Sequence, residues 1–251
     1  VADSARTLDV PGVGIALIDQ GKVVWEGGVG VRALGSPEPV DEHTKFMVAS
    51  NTKGMATLLL STLADDGMLD WDTPVTSLYP SFRLGSDETT KSTLVRHLVC
   101  ACTGLPRRDY AFVLADAGAP ATDTFRQLAE SYPTSDFGEL FQYNNLMASA
   151  AGYLGGSLAY PDMELGAAFD RAMDERVFEP LAMVDTTFDF DAAMTGNWAR
   201  PHGLDVDGQV HVISNDFNRT CLNAASAACR WERIAGMAWA CLKRFPGGFR
   251  S

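Results

Sequence analysis

The 251 residues predict an α+β fold: a sheet flanked by helices, with a helix-rich region packed beside it. Two observations predict it. Val/Ile-rich runs of strand character lie near the start, and apolar residues at helical spacing dominate from Ser50 to about residue 178. The chain reads as one folded unit with three stretches: strands over 1–45, helix-rich chain over 46–190, and an irregular segment with an atypical terminal helix over 191–251.

Residues 12–32, "GVGIALIDQGKVVWEGGVGVR", predict a hairpin, because "GVGIALI" and "KVVWEGGVGV" flank the turn residues "DQG". From Ser50 the period changes. Met55, Leu58, Leu59, Thr62 and Leu63 share one helical face, and Gly67 is placed to end the helix. Pro74 and Pro80 break "DWDTPVTSLYPSF" into loop, and "STLVRHLVCACTG" predicts a short helix ending at Gly104. Further helices are expected near 122–131, 145–155 and 163–178. Residues 185–212 read as irregular chain with short extended pieces and an Asp207-Gly208 turn. "AASAACRWERIAGMAWACLKRF" has the spacing of an amphipathic helix.

Composition narrows the function. A formal charge of -12 would repel nucleic acid and anionic membranes, which leaves a small molecule as the expected partner. The longest apolar runs fall far short of the roughly 20 residues that span a bilayer. Five cysteines, an odd number without paired zinc-ribbon spacing, read as buried or half-buried thiols, and the four histidines have no ligand spacing. No metal or cofactor is expected. The first residue is Val, which is compatible with a removed leader; the compartment is left open, with the cytoplasm slightly favoured over a periplasmic or secreted location.

Two short motifs could carry chemistry. In "FMVASNTKGMATLLLSTLADDGMLD", Ser50 and Lys53 are one helical turn apart, close enough for the amine to reach the hydroxyl. A desolvated lysine can take the proton of a serine that attacks a carbonyl, and the serine's own N–H can serve a developing oxyanion. The commoner role of such a pair is a helix cap followed by a surface charge, and the pair alone leaves both roles open. "FGELFQYNNLMASAAGYL" contains Tyr143-Asn144-Asn145, a phenol able to relay a proton and an amide able to hold a carbonyl. A core tyrosine followed by an Asn cap is the alternative.

Four ordered segments resemble the serine hydrolases related to class C β-lactamases, DD-peptidases and the esterases and transesterases of that fold. "FMVASNTKGMATLLLSTLADDGMLDWDTPVTSLYPSF" is similar to the family's nucleophile helix and following loop. "LVRHLVCACTGLP" resembles its "LL.HtSGLP" segment, with Cys100, Ala101 and Cys102 where the common form is more polar. "FQYNNLMASAAGYL" resembles the Tyr-x-Asn segment, and "RVFEPLAMVDTTF" resembles the later "PLGM" segment. The resemblance implies Ser50 as acylated nucleophile, Lys53 as base, Tyr143 as proton relay and Asn145 as substrate-orienting amide, with no metal or cofactor.

The family's third motif, Lys/His-x-Gly, does not occur; His202 in "RPHGLD" lacks the intervening residue and reads as a turn or pocket-rim residue. The sheet strands that would follow it are expected to be missing. One nucleotide out of frame, a reverse translation of "ACRWERI" permits Ala-Gly-Gly-Ser-Ala-Ser, which resembles the family at that point. The residues from about 225 are therefore expected to be a shifted frame, and the uncovered sheet edge is expected to be covered either by the terminal helix or by a second chain in a homodimer. The function implied is a serine hydrolase acting through an acyl-enzyme on small carboxylic esters. The alternatives are a β-lactamase or DD-peptidase-type amide hydrolase, and a truncated, inactive member acting as a binding scaffold.

Overall fold

The computed structural model describes residues 1–108 and 120–214. The expected helix after residue 225 and the shifted-frame segment lie outside them. The described chain packs as two compact units, one of residues 1–48 and 178–214, the other of residues 49–108 and 120–177.

In the first unit, helix α1 (Ala2–Thr7) precedes the expected hairpin of β1 (Gly12–Asp19) and β2 (Lys22–Gly30). The strands pair antiparallel from Gly12 opposite Gly30 to Asp19 opposite Lys22, with an irregularity between Leu17 and Ile18. Gln20 and Gly21 make the turn, both at positive φ (48° and 75°), the geometry whose twist matches a two-residue hairpin. A second antiparallel pair, β3 (His202–Leu204) with β4 (Val210–Val212), closes around Asp207-Gly208. Among the described residues the strands form these two separate pairs.

The loop entering the second unit is tied down within the first. Asn197 Nδ2 donates to Asp41 Oδ1 (2.7 Å), as does the His43 N–H (2.9 Å), and Lys45 Nζ donates to the carbonyls of Ala192 and Thr195 (3.0 and 2.9 Å). Burial would raise the Asp41 carboxyl, but the hydrogen bonds from Asn197, His43 and Thr44 outweigh it and hold its pKa below the ordinary value.

The second unit holds the larger core. Helix α2 (Asn51–Asp65) ends as expected, with Gly67 at φ 72° and the Met68 N–H donating to Leu63 O (2.9 Å). Short helices α3 (Val75–Leu78) and α4 (Asp87–Ser92) follow, then α5 (Asp123–Ala129), α6 (Asn145–Ala159) and α7 (Leu165–Met173), which runs into a π turn over Asp174–Phe178. α6 is the central helix, buried from Leu146 to Gly156. Its small residues let both neighbours approach closely: a Cβ on Gly156 would lie 2.5 Å from the Phe169 backbone nitrogen of α7. Against it α2 buries Thr52, Met55, Ala56, Leu59, Leu60 and Leu63. The expected face was thus rotated: Leu58 and Thr62 are only half-buried, because the facing helix is flat and small and accepts Ala56 and Leu60. Stacked and edge-on rings, Tyr79–Phe125 (4.5 Å), Phe125–Tyr153 (6.4 Å) and Tyr153–Phe169 (5.9 Å), continue this core.

Two expectations are corrected between residues 93 and 104. Only Val95–Leu98 is helical, as a 3-10 turn, and Cys100 and Cys102 are joined in a disulfide rather than being thiols. The cause is tertiary. Ala101 adopts φ 54° and turns its carbonyl toward the segment before Tyr143, a direction helix geometry would not allow.

Candidate active site

The site grows from the N-terminus of α2. Ser50 occupies the cap position with φ -66° and ψ -7°, yet its side chain makes no capping bond. The first turn closes without it: the Thr52 N–H donates to Ala49 O and the Lys53 N–H to Ser50 O, both at 3.1 Å. Ala49, immediately before the serine, sits at φ 43°, a left-handed conformation that costs a non-glycine residue about 1–2 kcal/mol. Such departures cluster where a side chain has to be aimed.

The aim is visible in the hydrogen bonds. Lys53 Nζ donates to Ser50 Oγ at 3.0 Å, and the Tyr143 hydroxyl shares a 2.6 Å hydrogen bond with the same oxygen. Lys53 Nζ also lies 5.0 Å from the centroid of the Tyr143 ring, a cation–π contact that closes the triangle. Ser50 is exposed while Lys53 and Tyr143 are half-buried, so the hydroxyl faces arriving molecules and its two partners stand behind it.

Tyr143 is held by the chain on either side of it. Asn144 is the buried cap of α6, its Oδ1 accepting from the Met147 N–H (3.0 Å) and its Nδ2 donating to Pro106 O (2.9 Å). On the other side the Gln142 N–H donates to Ala101 O (2.8 Å). The cap of this helix is Asn144, and Asn145 is its first helical residue, half-buried. Ser50, Lys53 and Tyr143 are brought together, and Asn145 adjoins them through the backbone.

One neighbour went unread in the sequence. The Arg107 guanidinium carbon lies 5.0 Å from the Tyr143 ring centroid. Its only local signal is its position directly after "GLP", since the pairing of 101–106 with 134–144 is what carries it there. His202 lies in the other unit, where it opens β3, accepts the Leu34 N–H at Nε2 (3.1 Å) and lines a cavity of about 310 Å³. Among the described residues no three His, Cys, Asp or Glu side chains are grouped to hold a metal, and no helix is long and apolar enough to cross a membrane.

Comparison with known proteins supplies the context. The family model described as Beta-lactamase matches residues 2–240. A relative named unguisins hydrolase ungD', from Aspergillus campestris, is 30% identical over 193 residues, 73% of this chain and 34% of its own length. Protein flp of Staphylococcus aureus is 22% identical over 217 residues, covering 83% of this chain and 41% of that protein. The chain thus spans less than half the length of either relative. Among solved structures, a class C β-lactamase from Rhodobacter sphaeroides superposes with a TM-score of 0.71 at 18% identity, over 96% of this chain and 61% of that one. An octameric penicillin-binding protein homologue from Pyrococcus abyssi does so with a TM-score of 0.66 at 22% identity, over 85% and 50%. At these identities the likeness is one of fold. With the family match running through both units, the chain belongs to the Beta-lactamase family.

Proposed function

We propose that this chain is a serine hydrolase that works through an acyl-enzyme on small carboxylic esters. One observation carries the reading: Ser50 Oγ forgoes its capping bond and is instead held between Lys53 Nζ and the Tyr143 hydroxyl. Ser50 Oγ attacks the ester carbonyl while its proton passes to Lys53. The tetrahedral oxyanion lies toward the Ser50 N–H at the start of α2, where the helix presents its positive end. Collapse breaks the bond to the leaving oxygen, and that oxygen receives the proton through Tyr143. Water then attacks acyl-Ser50, the same pair removing its proton and returning one to Oγ. Asn145 orients the acyl carbonyl from the first turn of α6.

An ester is favoured as substrate because its leaving oxygen departs more readily than an amide nitrogen, so it asks less of the proton transfers through Lys53 and Tyr143. A β-lactam is the second reading, supported by fold likeness to a class C β-lactamase.

The test incubates the protein and Ser50→Ala with p-nitrophenyl acetate, a chromogenic cephalosporin and a fluorophosphonate probe. Ester turnover and probe labelling, both abolished in the variant, are expected. Cephalosporin turnover without ester turnover would favour the second reading, and no labelling of Ser50 would leave the inactive scaffold.

A further inference from the structure

Cys100–Cys102 is the one bonded pair of sulfurs among the described residues, and it lies in the strap that holds Tyr143. The bond encloses Ala101, whose φ of 54° is one that residues other than glycine rarely adopt. In that conformation the Ala101 carbonyl accepts the N–H of Gln142, the residue before Tyr143, at 2.8 Å. The Cys102 carbonyl accepts the Gly138 N–H, also at 2.8 Å. Farther along the same strap, Pro106 O accepts from Asn144 Nδ2 and Arg107 lies over the Tyr143 ring. The strap thus touches the chain immediately before, at and after Tyr143. Both cysteines are half-buried, so a small reductant can reach them.

We propose that the Cys100–Cys102 disulfide is a positioning element for Tyr143, and that its reduction lowers activity by releasing Ala101 from the left-handed conformation. The proposal rests on the catalytic reading of Tyr143 given above. The step is a two-electron exchange with a dithiol reductant. Its first thiolate attacks one sulfur and the Cys100 Sγ–Cys102 Sγ bond breaks; its second sulfur then closes the reductant's own disulfide, and Cys100 and Cys102 each leave carrying a proton. Once open, Ala101 relaxes to ordinary negative φ, its carbonyl swings away from the Gln142 amide, and the Tyr143 hydroxyl loses its 2.6 Å contact with Ser50 Oγ.

The experiment compares wild type, oxidised and reduced by dithiothreitol with the thiols of Cys100 and Cys102 verified by mass, with C100A/C102A and with C100A/A101G/C102A. Displacing a reacting group by about 1 Å can cost about a hundredfold, so reduction and the double variant should lower kcat roughly ten- to a hundredfold, with KM changed little. The double variant should no longer respond to dithiothreitol. Glycine takes positive φ without a clamp, so A101G should restore most of the lost kcat, a recovery that mere loosening of the fold would not give. Unchanged kcat in the verified reduced protein, or no rescue by A101G, overturns the proposal. If the oxidised wild type neither turns over esters nor labels at Ser50, the catalytic reading fails by itself. The clamp is then judged by hydrogen exchange: faster exchange of the Gly138 and Gln142 amides on reduction supports it, and unchanged exchange refutes it.

Discussion

Removing one oxygen, by Tyr143→Phe, separates the phenol's chemistry from its packing. The phenylalanine ring keeps the place of the tyrosine ring, including the contacts of Lys53 and Arg107, each 5.0 Å from its centroid. What disappears is the hydroxyl 2.6 Å from Ser50 Oγ. A positioned acid–base group contributes about 10²–10⁴ in rate, which at about 1.4 kcal/mol per decade is roughly 3–5 kcal/mol of transition-state stabilisation. The stability effect is far smaller, because a neutral, half-buried hydrogen bond contributes about 0.5–1.5 kcal/mol net. The expected result is therefore a fall in kcat of about two orders of magnitude or more toward p-nitrophenyl acetate, with KM nearly constant and the melting temperature lowered by only a few degrees. Slower fluorophosphonate labelling should accompany it, because attack on phosphorus needs the same proton transfer. A kcat within threefold of wild type would refute the role given to Tyr143 and leave Lys53 as sole acid and base.

Asn144→Ala removes the cap on the Met147 N–H and the bond to Pro106 O; urea denaturation should show a loss of about 1–2 kcal/mol, and kcat should fall because Tyr143 is the next residue. An undisturbed kcat alongside that loss would mean that the strap does not need this tie. Burial, and after it the Arg96 guanidinium, hold the His97 imidazole below its ordinary pKa. The native state then binds fewer protons than the unfolded chain, so this contribution is complete above the unfolded pKa of about 6.5 and is lost as pH falls below it. Denaturation midpoints should drop between pH 7.5 and 5.5, and less so in His97→Asn, whose Oδ1 can still accept the Leu94 N–H now held by Nδ1; equal drops in both proteins would refute the assignment.

What the sequence made legible was decided by local forces. The hairpin followed from two strand-forming runs and a Gln20-Gly21 turn, and α2 from its apolar spacing and Gly67. The exact buried face of α2 was not legible, because it depends on how flat the facing α6 is, and Gly155 and Gly156 set that from nearly a hundred residues away. The Cys100–Cys102 bond and the position of Arg107 were hidden for the same reason. Both depend on the strap pairing with residues 134–144, a contact with no periodic signature, and the helical spacing of "STLVRHLV" carried the expectation past the point where the helix stops.

The local energetics at Ser50 also bear on function. A serine at a helix start ordinarily contributes about 1 kcal/mol by capping, and this one makes no capping bond. The residue before it sits in a conformation that costs about another 1–2 kcal/mol. A sequence selected for helix stability alone would recover both, by letting the hydroxyl turn back to the first-turn amides and by placing glycine at residue 49. Both losses act in one direction, toward holding Oγ between an amine on the first turn of α2 and a phenol on the chain just before α6. Two departures from helix-start preference that converge on one oxygen support the role of nucleophile proposed for Ser50 over that of a cap.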